Sequence, residues 1–164
     1  MATHEIELAQ TPSPLASDLC WLLSRASHGL TTEFSAALED LGISPRAHSV
    51  LFTAMTGDFT QTEIAKMVGL DKTTMVVTVD ELERAGLAER RPSSTDRRAR
   101  VIVVTDAGVR LVLHAEEVLD QVRNDVLSVL EPDERDVFLK ALGRLACGRL
   151  AEPAQCAHPP RRRA

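Results

Sequence analysis

The chain has 164 residues, enough for one domain or one domain with an appendage, and an ordinary globular share of apolar residues at 44%. The formal net charge is −5 and aromatic residues are scarce, with no tyrosine. No apolar run approaches the roughly 20 residues that cross a bilayer, no basic-then-apolar leader is present, and Cys20, Cys147 and Cys156 lack the spacing of a disulfide framework or a zinc knuckle. A cytoplasmic protein with no membrane partner is expected.

Residues 1–14 are polar, carry Pro12 and Pro14, and are expected to form a flexible arm. From Leu15 the apolar positions Leu19, Leu22, Leu23, Ala26, Leu30, Phe34, Ala37, Leu38 and Leu41 fall at helical steps, which predicts one long amphipathic helix ended by Gly42. In "SPRAHSVLFTAMTG", Ser44 is an N-cap, Pro45 suits the first turn and Gly57 is a stop. "TQTEIAKMVGL" reads as a short helix with Thr60 and Glu63 at capping-box spacing. "DKTTMVVTVDELERAG" starts another at Asp71 and ends at Gly86, with Met75, Val79 and Leu82 as its buried stripe. Two short helices around a glycine are the sequence form of a helix-turn-helix.

"LAERRP" and the β-branched "RVIVVT", joined by "SSTDR", predict a β-hairpin directly after that pair, the order of a winged helix. Thr105 caps a long helix carrying Leu111, Ala115, Val118, Val122 and Leu130; Pro132 breaks it and starts a last helix with Val137, Phe138, Leu142, Leu145 and Leu150. Residues 152–164 are expected to form a disordered basic tail, in which "RRR" is either a nonspecific DNA tether or a solubilising end. The fold class expected is mainly α with a small β-hairpin wing: a winged helix-turn-helix at 44–105 plus a helical region at 15–43 and 106–151. The stripes of the flanking helices are too apolar for lone surface helices. They serve either a helical pack within the monomer or, the reading preferred for helices this long, dimerisation.

Charge is distributed unevenly along this order. Residues 1–44 carry six acids and one base and residues 106–152 ten acids and six bases, yet 87–105 holds five arginines against Glu89 and Asp96. An acidic protein with one basic feature can still bind nucleic acid, because the local field at the contact decides.

The segment "GLDKTTMVVTVDELERAGLAERRPSSTDRRARVIVVTDAG" joins a T-M-x-x-x-V-D-x-L-E-x-x-G-L pattern to a D-x-R-A wing pattern at Asp96, Arg98 and Ala99, followed by Thr105 and Gly108. With the element order from about Leu15 to Leu150, it resembles the MarR (multiple-antibiotic-resistance regulator) family of transcription regulators. One departure is Ser93, near which the family often has a further acid. The resemblance implies a homodimer on a pseudo-palindromic double-stranded DNA operator, most often as a repressor, with the arginine of D-x-R in the minor groove.

A recognition helix presents its N-terminal residues to base edges in the major groove, here Asp71, Lys72, Thr73, Thr74, Val76 and Val77; either threonine could instead cap the helix. Arg98 is the expected minor-groove residue, with Asp96 orienting the hairpin tip and Arg97 able to share either role. Arg90, Arg91 and Arg100 are expected to serve phosphates. Thr60, Gln61 and Thr62 are either phosphate contacts at a helix start or a structural cap.

Many relatives bind a small aromatic or anionic effector between the helical pack and the winged domain, and Trp21, Arg25, His28 and His48 are the candidates to line such a cleft. Cys20, in "LCWLL", resembles the reactive cysteine of the family's organic-hydroperoxide sensors, although those support theirs with tyrosines; a cysteine on an apolar stripe is otherwise a packing residue. His4, His28, His48, His114 and His158 show no metal-ligand spacing, and no catalytic arrangement is legible. No metal, no cofactor and no enzyme activity are expected. Besides the Cys20 sensor, the alternative to a DNA-binding regulator is a winged-helix protein–protein adaptor that no longer binds DNA, against which the arginine-rich hairpin tip argues.

Overall fold

The computed structural model describes residues 13–93 and 99–152. The elements, in order, are α1 (Ser13–Ala16), α2 (Leu19–Ala37), α3 (Pro45–Met55), α4 (Gln61–Met67), α5 (Lys72–Arg84), β1 (Ala88–Pro92), β2 (Arg100–Val104), α6 (Asp106–Leu127) and α7 (Pro132–Arg144). The mainly α architecture with one small hairpin agrees with the sequence. The chain divides into two compact units after Arg123, within α6.

The single helix expected from Leu15 to Leu41 is instead broken at Asp18. That residue takes an extended backbone, and its carboxylate accepts the Trp21 N–H at 2.7 Å, so it starts α2 as an N-cap. Ser13 and Pro14, placed by the sequence in the arm, lie in the short α1. At its other end α2 gives way to a 3-10 turn over Glu39–Leu41, closed by Gly42 in the left-handed region at φ 63°.

The caps of the next three helices are those the sequence specified. Ser44 accepts the Ala47 N–H, Thr60 and Glu63 form a reciprocal capping box, and Asp71 accepts the N–H groups of Thr73 and Thr74. β1 and β2 pair antiparallel, Ala88 opposite Val104 and Pro92 opposite Arg100. A bridge from Thr60 to Val101, with the Ile102 N–H on the Phe59 carbonyl at 3.3 Å, fastens the start of α4 to the far edge of β2.

The first unit holds the core. Leu38, Val50, Leu51, Ile64, Met75, Val79, Ile102, Val112, Ala115 and Leu119 are all but inaccessible. One face of each of α3, α4, α5, the hairpin and α6 converges there, which is why those helices show their apolar residues at three-and-four spacing. α2 buries none of its own side chains, and Leu15, Leu19 and Leu22 stay exposed.

In the second unit, Glu131 starts α7 by donating its backbone N–H to the Glu134 carboxylate at 3.0 Å. α6 ends at Leu127 rather than at Pro132, and the Leu130 carbonyl beyond it accepts from Arg135 Nε at 2.9 Å. α7 also buries nothing; Val137, Phe138 and Leu139 are exposed, as are Leu145 in the π-helical turn that follows and Leu150 at its end. Among the described residues no helix is long and apolar enough to cross a membrane.

Candidate nucleic-acid interface

α5 has two faces of different character. Met75, Thr78, Val79 and Leu82 point into the core, while Lys72, Thr73, Val76 and Val77 are exposed. Val76 and Val77 are solvent-facing β-branched residues on an otherwise polar helix surface, an arrangement that internal packing does not require.

The capping residues are more committed. The Asp71 carboxylate takes the N–H groups of Thr73 (2.9 Å) and Thr74 (3.0 Å), and the Thr74 hydroxyl at 2.6 Å. The Thr74 hydroxyl, followed by its N–H, holds Asp71 below the usual carboxylate range. Thr74 is half-buried and its hydroxyl is engaged, so the capping alternative describes its geometry; Thr73 has its side chain outward. In α4, Thr60 is likewise a cap, its N–H and hydroxyl both donating to Glu63 Oε2 at 2.8 Å, bonds that lower the Glu63 pKa. Thr62 is exposed beside it, and Gln61 is half-buried.

The hairpin arginines divide into different environments. Arg90 does not face solvent as a free phosphate ligand would. Its guanidinium reaches Asp80 Oδ1 at 2.6 Å, Glu83 Oε2, Gln61 Oε1 at 3.1 Å and the Val76 carbonyl at 3.3 Å. Arg91 is exposed and pairs with Glu89 at 2.9 Å, and Arg100 is exposed and donates to the Ala99 carbonyl at 3.4 Å. Asp96, Arg97 and Arg98 lie outside the described residues.

A cleft between α2, α3 and the part of α6 that belongs to the first unit is lined by Phe34, Pro45, His48, Ser49, Phe52, Glu116, Leu119 and Arg123. Of the four residues named from sequence for an effector, only His48 lies there. Trp21, Arg25 and His28 sit elsewhere on α2, the first half-buried and the others exposed, because the face of α2 that meets α3 carries Phe34 instead. Arg123 grips Glu116 through two bonds of 3.0 and 3.2 Å, reaches Asp120 at 2.6 Å, and lies over the Phe34 ring at 5.6 Å. These bonds, the Glu116 pair first, raise the Arg123 pKa further.

His48 is 5% exposed, with Nε2 only 3.0 Å from Glu116 Oε1 but without hydrogen-bond geometry. Burial lowers its pKa below 6.5; Arg123 adds to that effect and Glu116 opposes it. The folded chain therefore holds His48 neutral. As pH falls, the unfolded chain takes up this proton first, so the stability owed to the neutral ring is complete above pH 6.5 and declines from there down to the lowered folded value. One proton gives at most about 1.4 kcal/mol per pH unit. Thermal unfolding followed between about pH 7.5 and 5.5 should show a steeper loss for the wild type than for His48→Gln; equal slopes would assign the loss to other groups.

Cys20 is exposed on α2 rather than packed into a stripe, and Cys147 is exposed in the second unit. Among the described residues no group of three or more His, Cys, Asp or Glu could hold a metal.

A helix pair joined at Gly69, with its second helix outward on one face and a hairpin fastened beside it, is a winged helix-turn-helix. The MarR family model matches residues 41–99, which take in the helix pair and the first strand of the hairpin. A MarR-family regulator from Rhodococcus sp. RHA1 is 28% identical, with a TM-score of 0.77 over 82% of this chain and 96% of its own. The transcriptional repressor CouR, solved on a 23-mer DNA duplex, is 28% identical, with a TM-score of 0.75 and the same coverage. CouR from Rhodococcus jostii RHA1 bound to p-coumaroyl-CoA matches at 28% identity and a TM-score of 0.74, covering 88% and 99% of the two chains. Residues 41–99 thus match the MarR family model, and the chain is similar in fold, over most of its length, to solved MarR-family transcription regulators.

Proposed function

We propose that this chain is a sequence-specific double-stranded-DNA-binding repressor that acts as a homodimer on a pseudo-palindromic operator. The observation that carries the reading is the outward face of α5, Lys72, Thr73, Val76 and Val77, with the hairpin fastened directly beside it. A helix of this kind enters the major groove with its first two turns against base edges. Lys72 reaches a guanine or a phosphate, Thr73 donates to a base or phosphate, and the valine methyls rest on thymine methyls. Thr62 and the helix start at Gln61 approach the backbone, as do Arg91 and Arg100. Arg98, with Asp96 and Arg97, serves the neighbouring minor groove, whose narrow A·T-rich form attracts guanidinium.

The uncovered apolar stripes of α2 and α7 support a helical region that a second copy covers, assigned to 15–43 and 106–151, with 44–105 as the DNA-binding domain. Two-fold symmetry would then set the half-sites near one helical turn, roughly 10 bp, apart. The cleft around His48, Phe34, Phe52 and Arg123 supports release by a small aromatic or anionic effector, since CouR has been solved with p-coumaroyl-CoA. Such a ligand acts only if it binds the released arrangement of the winged domains better than the DNA-bound one.

The test is fluorescence anisotropy with duplex from the protein's own promoter region against a scrambled duplex, at several salt concentrations. Preferential binding that persists at moderate salt, with a slope reporting several phosphate contacts, is the expected result. Failure to bind either duplex would overturn the reading.

A further inference from the structure

We propose that Arg90 is a positioning residue that fixes the wing against the recognition helix, and not a ligand of the DNA phosphates. This rests on the DNA-binding reading above. Arg90 is the third residue of β1, paired with Ile102, and its side chain leaves the hairpin for the helices. Its backbone N–H donates to Glu83 Oε1 at 2.7 Å while its guanidinium takes Glu83 Oε2, so one carboxylate holds both the strand and its side chain. The guanidinium also meets Asp80 one turn earlier on α5, the Val76 carbonyl one turn before that, and Gln61 in the first turn of α4. Three elements, the wing strand, the recognition helix and the helix before it, therefore converge on one planar cation.

The environment separates this role from phosphate contact. The Arg90 side chain is 21% exposed, against 60% for Arg91, the next residue of the same strand. Two carboxylates surround its one charge, so the cluster as a whole is acidic and offers a phosphate no net attraction. Geometry gives the clamp its purpose. Major-groove and minor-groove contacts can be made together only if the wing keeps a fixed offset from α5, and a two-stranded hairpin is flexible unless anchored. A lysine could neutralise one carboxylate but could not span Asp80, Glu83 and Gln61 in one plane.

The experiment compares wild type, Arg90→Lys, Arg90→Gln, Glu83→Gln and the double variant by anisotropy on the operator duplex across a salt series, alongside thermal unfolding of each. The expected result is an affinity loss of tenfold or more for both Arg90 variants, with the salt slope unchanged. Preference at the A·T-rich flanks should fall while preference at the central half-site bases remains. Glu83→Gln should also weaken binding, and the double variant should be little worse than either single one.

A phosphate ligand gives the opposite pattern. Its loss lowers the salt slope by about one and weakens all sequences alike, and Glu83→Gln, by removing a negative charge and freeing the arginine, strengthens binding. Either of those results overturns the proposal and leaves the DNA-binding reading intact, whereas a wild type with no preference for any duplex overturns both. If Arg90→Gln fails to fold, Glu83→Gln alone decides, because the two roles predict opposite signs for it.

Discussion

Replacing Gly108 by alanine is expected to destabilise the first unit by about 2–3 kcal/mol, with a clear fall in the unfolding midpoint. The substitution ought to help by helix propensity alone, since alanine is favoured over glycine by up to about 1 kcal/mol inside a helix. Space decides otherwise. A Cβ at Gly108 would lie 2.2 Å from the Leu87 carbonyl oxygen and 2.7 Å from Val104 Cγ1. The first of these is backbone, and that same carbonyl already accepts the Thr105 N–H at 3.1 Å.

The Thr105 hydroxyl donates to the Gly86 carbonyl at 2.8 Å and accepts the Gly108 N–H at 3.1 Å, so the start of α6, the end of α5 and the second strand meet at one crowded joint. Relief requires α6 to move away from the core that its Val112, Ala115 and Leu119 help to form. Gly29→Ala in α2 is the matched control, because nothing lies within 4 Å of a Cβ there. It should stabilise by a few tenths to about 1 kcal/mol. Circular-dichroism melts of the two variants measure both; a neutral Gly108→Ala would refute the close approach. A loss at Gly29 would mean that a second copy packs against that face of α2.

The features read correctly from sequence are those whose cause is local. Ser44, Thr60 with Glu63, and Asp71 each announce a helix start within three residues, and each makes the bonds that this spacing implies. Gly69 and Gly86 end helices at φ 70° and 68°, a backbone region that disfavours other residues. The stripe Met75, Val79, Leu82 is buried because a period of 3.6 leaves no other common face.

The errors occur where a local signal was absent or ambiguous. Leu15 and Leu19 keep their spacing of four across the break at Asp18, so periodicity carried the helix through a residue whose carboxylate in fact caps a new one. Pro132 marks the start of α7, but no breaker marks the end of α6 five residues earlier.

Long-range pairings left no trace in any window. Arg90 reaches Glu83 seven residues back and Gln61 twenty-nine residues back, and read alone it is one more arginine in a basic hairpin. Glu116, Arg123 and Phe52 carry no signal of their own in the sequence, and Phe34 reads as one member of an apolar stripe. Only the packing of α2, α3 and α6 turns them, with His48, into the wall of a cleft.

The face of α5 leads to the prediction with the largest functional effect. Val77→Glu should abolish operator preference, with a loss of at least about a hundredfold, near 3 kcal/mol. Val77 is about half exposed, and unlike Val76 its carbonyl takes no part in the Arg90 cluster, so the substitution touches neither the core nor the clamp. Glutamate is at least as good a helix former as valine, and the unfolding midpoint should therefore hold or rise slightly. In the major groove the same carboxylate is brought among phosphates and base acceptors without a cation to meet it, and it displaces the methyl groups that a thymine would contact.

Val77→Thr keeps one methyl and the β-branch and should stay within a few-fold of wild type, while Thr74→Ala, whose lost hydroxyl serves Asp71, should lower the midpoint and leave base preference unchanged. Anisotropy and melting of these three variants separate a reading surface from a capping residue on the same helix. Undiminished binding by Val77→Glu would mean that DNA meets the protein somewhere other than α5, and the winged helix-turn-helix would then be a scaffold for a different contact.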